Sequence, residues 1–155
     1  MRLKIDSRRR KLEAYFLRAS DKNVGEEVQA DLARFGAVLI CGYVEQCVAD
    51  VILARLTPLA QPKVLNFVKS HFRRGKNYDC IAITELLERF DAGWAKDFRV
   101  FCEENPRHVE AINSAYALRN SIAHGGDANR GMRGVQELYE SALVVVTALE
   151  KTTAS

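Results

Sequence analysis

Arg119, Asn120 and His124 place a cation, an amide and an imidazole within six residues, immediately before the glycine pair Gly125-Gly126. Imidazole is the side chain best suited to proton transfer near neutral pH. The chemistry on offer is therefore acid–base work beside a positive charge. On a helix advancing about 100° per residue, Arg119 falls about 20° from Ile112, along a stripe shared with Tyr116 and Ala123. An arginine on that side is drawn toward apolar surroundings, where its charge is costly unless paired. A second stripe, Asn113, Ala117, Asn120 and His124, is polar with a small residue in its middle, which lets another helix approach closely. Arg119 and His124 stand about 140° apart around a regular helix, so they do not share a face, whereas Asn120 and His124 do.

The elements that must hold these groups read as helices throughout, with no strand-like alternation and no internal repeat. Periodicity and punctuation predict helices over about Ser7 to Ala19, Glu26 to Leu56, Lys63 to Phe72, Asp79 to Phe90, Gly93 to Glu103, Pro106 to near His124, and Met132 to Lys151. Asn105 reads as the N-cap of the sixth helix with Pro106 in first position, and Gly125 as its stop. In the long second helix, Val28, Leu32, Phe35, Leu39 and Tyr43 follow one face. From Phe35 to Val44 that helix is apolar all round, so neighbours must enclose it within the monomer or across a subunit contact. The expected architecture is an all-α, antiparallel bundle of about six to seven helices, one domain over residues 1–155, frayed at about 1–6 and 152–155.

Composition excludes several classes. A chain of 155 residues, 48% hydrophobic and 28% charged, has enough apolar material for one folded core. A net charge of +3 permits a nucleic-acid partner without arguing for one. The basic N-terminal stretch has no apolar run behind it, as a secretory signal would. The run Phe35 to Val44 is short of the ~20 residues of a membrane span. A cytoplasmic protein without membrane attachment is expected. Cys41, Cys47, Cys80 and Cys102 form no CxxC pair and read as reduced, partly buried thiols rather than a disulfide or zinc framework. No His/Asp/Glu spacing resembles a metal site, the Gly-Lys-Ser/Thr ending of a phosphate-binding loop is missing, and no cofactor is expected. His71 and His108 read as surface residues at helix ends, and Tyr116 and Trp94 as packing residues.

The string Ala117-Leu118-Arg119-Asn120-Ser121-Ile122-Ala123-His124-Gly125 resembles the signature of the HEPN superfamily: an arginine, a polar residue such as Asn, then a histidine four to six positions after the arginine, at a helix end. Ala30 to Gln46 and Phe90 to Trp94 resemble its bacterial RiboL-PSP-HEPN branch. The resemblance runs from about Leu12 to about Gly125. It implies a helical bundle and a metal-independent endoribonuclease acting as a homodimer, often as a toxin or antiphage defence effector with a neutralising antitoxin or regulatory partner. Arg119, Asn120 and His124 would then be catalytic: the imidazoles as base and acid, the guanidiniums on the phosphate, and the amide orienting the phosphate or holding the helices in register.

Glu45, which ends the apolar run of the second helix, is the candidate to pair with Arg119 and orient it, and reads equally as an ordinary exposed glutamate. Arg73, Arg74 and Lys76 in one loop, Arg130 and Arg133 in another, and the cluster Arg8 to Lys11 are candidates to track an RNA backbone. The segment Asp127 to Gly131 is the best placed, since it adjoins His124. The alternative to an enzyme is a non-catalytic dimeric module that binds RNA or a protein partner through the same surface.

Overall fold

The computed structural model describes residues 1–126 and 130–154, and among these residues all regular structure is helical. The elements are α1 (Arg2–Ala19), α2 (Glu26–Leu56), α3 (Pro62–His71), α4 (Cys80–Glu88), α5 (Ala92–Glu104), α6 (Pro106–Ala123) and α7 (Met132–Thr152). Pro62 and Pro106 occupy the first turns of α3 and α6, where a missing N–H costs nothing. Asp79 and Asp91 accept the backbone N–H groups of Ala82 and Trp94 and so fix the starts of α4 and α5. Asn105 stands at the N-cap position of α6 but does not cap it. Its side chain donates instead to the carbonyl of Phe101 at 2.8 Å, closing the end of α5.

Both ends of the chain are more ordered than their polarity suggests. α1 begins at Arg2 because Ile5 is buried and ties the first turn to the bundle. α7 runs to Thr152, and Thr153 is buried, its hydroxyl meeting Arg55, which also donates to the carbonyl of Glu150 at 2.9 Å.

α2 is the central helix and packs against α1, α3, α6 and α7. Of the bulky row read from the sequence, only Tyr43 lies on its buried face. Ala33, Gly36, Ala37, Ile40, Cys41, Val44, Cys47, Val48 and Val51 are buried, whereas Val28 and Phe35 are exposed and Leu32 and Leu39 only half-buried. The small residues win because they let neighbouring helices come close. At Gly36 an added Cβ would sit 3.0 Å from the ring of Phe16. Nor is the stretch from Phe35 to Val44 enclosed all round: Phe35 is 53% exposed, and Val38, Leu39 and Gly42 border an open groove shared with Leu12 of α1. By length and composition α2 is apolar enough to cross a membrane, a feature the ten-residue run understates. Half of its most apolar window is buried in the bundle, the pattern of a core helix.

Candidate active site

The C-terminal end of α6 is built by its glycines. The N–H of Gly126 bonds to the carbonyl of Ser121 at 2.8 Å and that of Gly125 to Ile122 at 3.1 Å, the paired bonds of a Schellman motif. Gly125 has φ +72°, a left-handed conformation that costs an L side chain ~1–2 kcal/mol. An added Cβ at Gly126 would stand 3.1 Å from the Ser121 carbonyl and 2.5 Å from its hydroxyl oxygen. The pair is thus a closed turn rather than a loose hinge. It holds His124 as the C-cap of the helix, with its backbone N–H still bonded to Asn120 and Ser121.

One turn back, three elements converge on Arg119. Nη1 donates to Oε1 of Glu45, from α2, at 2.5 Å, and Nη2 donates to Oδ1 of Asn77, from the loop between α3 and α4. The guanidinium carbon lies 5.2 Å from the centroid of the Tyr116 ring, within cation–π range. Arg119 and Glu45 side chains are 25% and 20% exposed, so the pair is largely shielded yet still reachable from outside. Removing either partner leaves a poorly solvated charge behind. Asn77 is held in place by the next two residues: Tyr78 is buried against Phe72, and Asp79 caps α4. Burial pushes the hydroxyl of Tyr116 well above the usual tyrosine range, so that ring stays a neutral floor under the cation.

Asn113, Ala117, Asn120 and His124 are all exposed, so this stripe of α6 has no partner within the chain among the described residues. No side-chain hydrogen bond joins Arg119 to Asn120 or His124 among those residues. The 140° separation read from the sequence persists: Arg119 turns toward α2, and Asn120 and His124 face outward. Glu45 and Arg119 are brought together; Asn77, the third member of the clamp, has no signal in helical periodicity because it ends a loop.

The basic candidates part company. Arg73, Arg74 and Lys76 are exposed, and their loop reaches the clamp: an added Cβ at Gly75 would lie 4.0 Å from Oε2 of Glu45. Arg133 is exposed. Arg130 folds its stem over Gly134 and lines a small polar cavity with Arg107, Glu110 and Glu137, acid-bearing surroundings that suit an RNA backbone poorly. The rest of the loop singled out beside His124, residues 127–129, lies outside the described residues. Arg8 is engaged with Asp50 and Gln46, and Arg9 with Glu13, so two of the four cations of the Arg8 to Lys11 cluster, midway along α1, are already paired.

His108 is half-buried rather than a plain surface residue. Its Nδ1 lies 3.0 Å from the hydroxyl oxygen of the buried Ser141 and links α6 to α7. Tyr116 is buried and Trp94 half-buried against the core. The four cysteines are free. Among the described residues no three His, Cys, Asp or Glu side chains gather as a metal site would require.

The described residues form an all-helical bundle with this glycine-closed terminus on a late helix. The model of the RiboL-PSP-HEPN family matches residues 3–155, and the chain belongs to that family. No curated protein and no solved structure matches it.

Proposed function

We propose that this HEPN protein is a metal-independent endoribonuclease whose active site forms where two copies pair through the exposed stripe of α6. The observation that carries this reading is the outward presentation of Asn120 and His124 beside a shielded, clamped and still reachable Arg119. Within one chain the imidazole and the guanidinium diverge. A twofold axis near Ala117 sets two imidazoles and two guanidiniums around one cleft, and this agrees with the dimeric arrangement that the family resemblance implies.

RNA supplies its own nucleophile. One His124 removes the proton from a 2′-hydroxyl, and that oxygen attacks the adjacent phosphorus. The bond from phosphorus to the 5′ oxygen breaks, and the second His124 protonates the departing oxygen. The products carry a 2′,3′-cyclic phosphate and a free 5′-hydroxyl. Arg119, pre-oriented by Glu45 and Asn77, neutralises charge on the phosphoryl oxygens as it grows in the transition state. Asn120 orients the phosphate or holds the paired helices in register. A nuclease of this kind harms its own cell when unrestrained, which fits a toxin or antiphage effector held by a partner or a trigger.

Purified protein incubated with RNA in excess EDTA tests the reading. We expect cleavage with cyclic-phosphate ends, reduced roughly 10²- to 10⁴-fold in His124→Ala, the usual range for loss of a proton-transfer group. RNA that binds but stays equally intact with wild type and variant would instead make the protein a non-catalytic binding module.

A further inference from the structure

The clamp that fixes Arg119 is electrically neutral, one guanidinium against one carboxylate. Attraction for a polyanion must therefore come from beside it, and the loop that delivers Asn77 carries Arg73, Arg74 and Lys76. None of the three pairs with a carboxylate among the described residues. Where this loop leaves α3, Phe67, Ser70, His71, Arg73 and Arg74 line an open groove of about 500 Å³, within the ~300–1,000 Å³ typical of small-ligand clefts. Phe67 is 75% exposed on the wall of that groove, although Val68 beside it is buried, so α3 keeps an aromatic ring in water that packing does not require.

The groove is joined to the clamp by a chain of ring contacts. The His71 ring meets Phe72 edge-on at 5.3 Å, Phe72 lies 6.2 Å from buried Tyr78, and Asn77 precedes Tyr78. From Arg74 to Asn77 the chain spans at most ~10 Å. At ~3.4 Å of rise per nucleotide in a stacked strand, the Arg74 edge of the groove lies within about three nucleotides of Asn77, the residue that holds Arg119.

We propose that this groove is a subsite for single-stranded RNA flanking the cleaved bond, with a base stacked on Phe67 and the neighbouring phosphates held by Arg73 and Arg74. An exposed aromatic ring next to unpaired cations is the arrangement that grips unpaired bases without reading their sequence. A polypeptide segment without carboxylates would suit the ring but leave the cations without counter-charge. The α1–α2 groove also carries a ring and cations, but its Tyr43 is buried and its Arg8 is paired with Asp50, so it offers no open stacking face. The inference rests on the nuclease reading, because it assigns the flanks of the same substrate.

The test uses His124→Ala protein, so that RNA is not consumed, and a fluorescein-labelled RNA of about ten nucleotides read by anisotropy across a salt series. Adding Phe67→Ala weakens binding roughly 5- to 100-fold, whereas Phe67→Trp preserves it. Adding Arg73→Ala with Arg74→Ala flattens the slope of log affinity against log salt by about 1.4, the share of two phosphate contacts. A paired duplex of the same sequence binds more weakly than the single strand. Affinity and slope unchanged in both variants while RNA still binds would overturn the subsite and leave the nuclease reading standing. So would conversion of a dimer to a monomer by Phe67→Ala, which would make the ring a contact between copies. Failure of the His124→Ala protein to bind any RNA would remove the nuclease reading and the subsite together.

Discussion

Two arginines of this chain are held in nearly the same way. Arg8 gives Nε to Asp50 at 2.8 Å and Nη1 to Gln46; Arg119 gives Nη1 to Glu45 and Nη2 to Asn77. Each clamp is a carboxylate plus an amide, and three of the four acceptors lie on α2. A thiol lies near each, Cys47 by Arg8 and Cys41 by Arg119. The surroundings differ. Arg8 stitches α1 to α2 beside an apolar groove. Arg119 stands one turn from an exposed imidazole at a glycine-locked helix end, next to a loop of unpaired cations. A clamped arginine is thus a packing device in itself; its surroundings decide whether it serves chemistry.

The sharpest way to break this comparison is to remove each arginine in turn. Arg119→Ala lowers RNA cleavage roughly 10²- to 10³-fold, the range for losing a transition-state charge donor. Arg8→Ala leaves cleavage within about threefold. Both variants lower the melting temperature, since each strands a shielded carboxylate, with a cost of about 1–2 kcal/mol as part of a partly exposed pair. Equal losses of cleavage in the two would mean that activity follows bundle integrity rather than site chemistry.

Glu45→Gln is a milder cut. It keeps a hydrogen-bond acceptor for Arg119 but removes the charge that balances it. Cleavage falls about tenfold, as kcat more than KM, because the guanidinium is less well oriented while RNA attraction is not reduced. If kcat is unchanged, Glu45 is a structural neighbour only.

The smallest effect is alkaline. Burial lifts the thiols of Cys41 and Cys47 from an ordinary value near 9 to about 12. Between those values the unfolded chain ionises and the folded chain does not. The stabilisation is therefore complete below pH 9 and is lost as pH rises toward 12. Denaturant midpoints measured from pH 8 to 11 should fall, and less steeply in Cys41→Ala and Cys47→Ala. In Arg119→Ala, native-state alkylation of Cys41 should slow, and in Arg8→Ala that of Cys47, because each guanidinium favours the neighbouring thiolate. The opposite pattern would separate the thiols from their clamps.

Most of the fold is legible in the sequence because helices are bounded by local chemistry. Pro62, Pro106, Gly25 and Gly125 mark helix ends by residue type alone, and the bounds of α2 are legible to the residue. The features that escape are tertiary. The buried face of α2 interleaves small residues such as Gly36 and Ala37 with Ile40 and the valines, and a hydrophobic periodicity ranks the small ones below Phe35 and Leu39 although they admit close helix contact. The Arg119–Glu45 pair is half legible: a charge near an apolar stripe needs a counter-charge, but the sequence reads Glu45 equally as an ordinary exposed glutamate. Asn77 is not, since a loop amide has no period. The contrast between Arg8, spent on Asp50, and Arg74, left unpaired, is equally hidden in a sequence that shows both as basic runs.

The central claim is that two copies of α6 meet along Asn113, Ala117, Asn120 and His124. Cross-linking through Ala117→Cys tests it most directly, because Ala117 sits mid-stripe and exposed. Under mild oxidation we expect a covalent dimer that still cleaves RNA in EDTA, while Val144→Cys on the exposed face of α7 gives none. Ala117→Cys protein that sediments as a monomer, forms no cross-link and yet cleaves RNA at the wild-type rate would contradict the account.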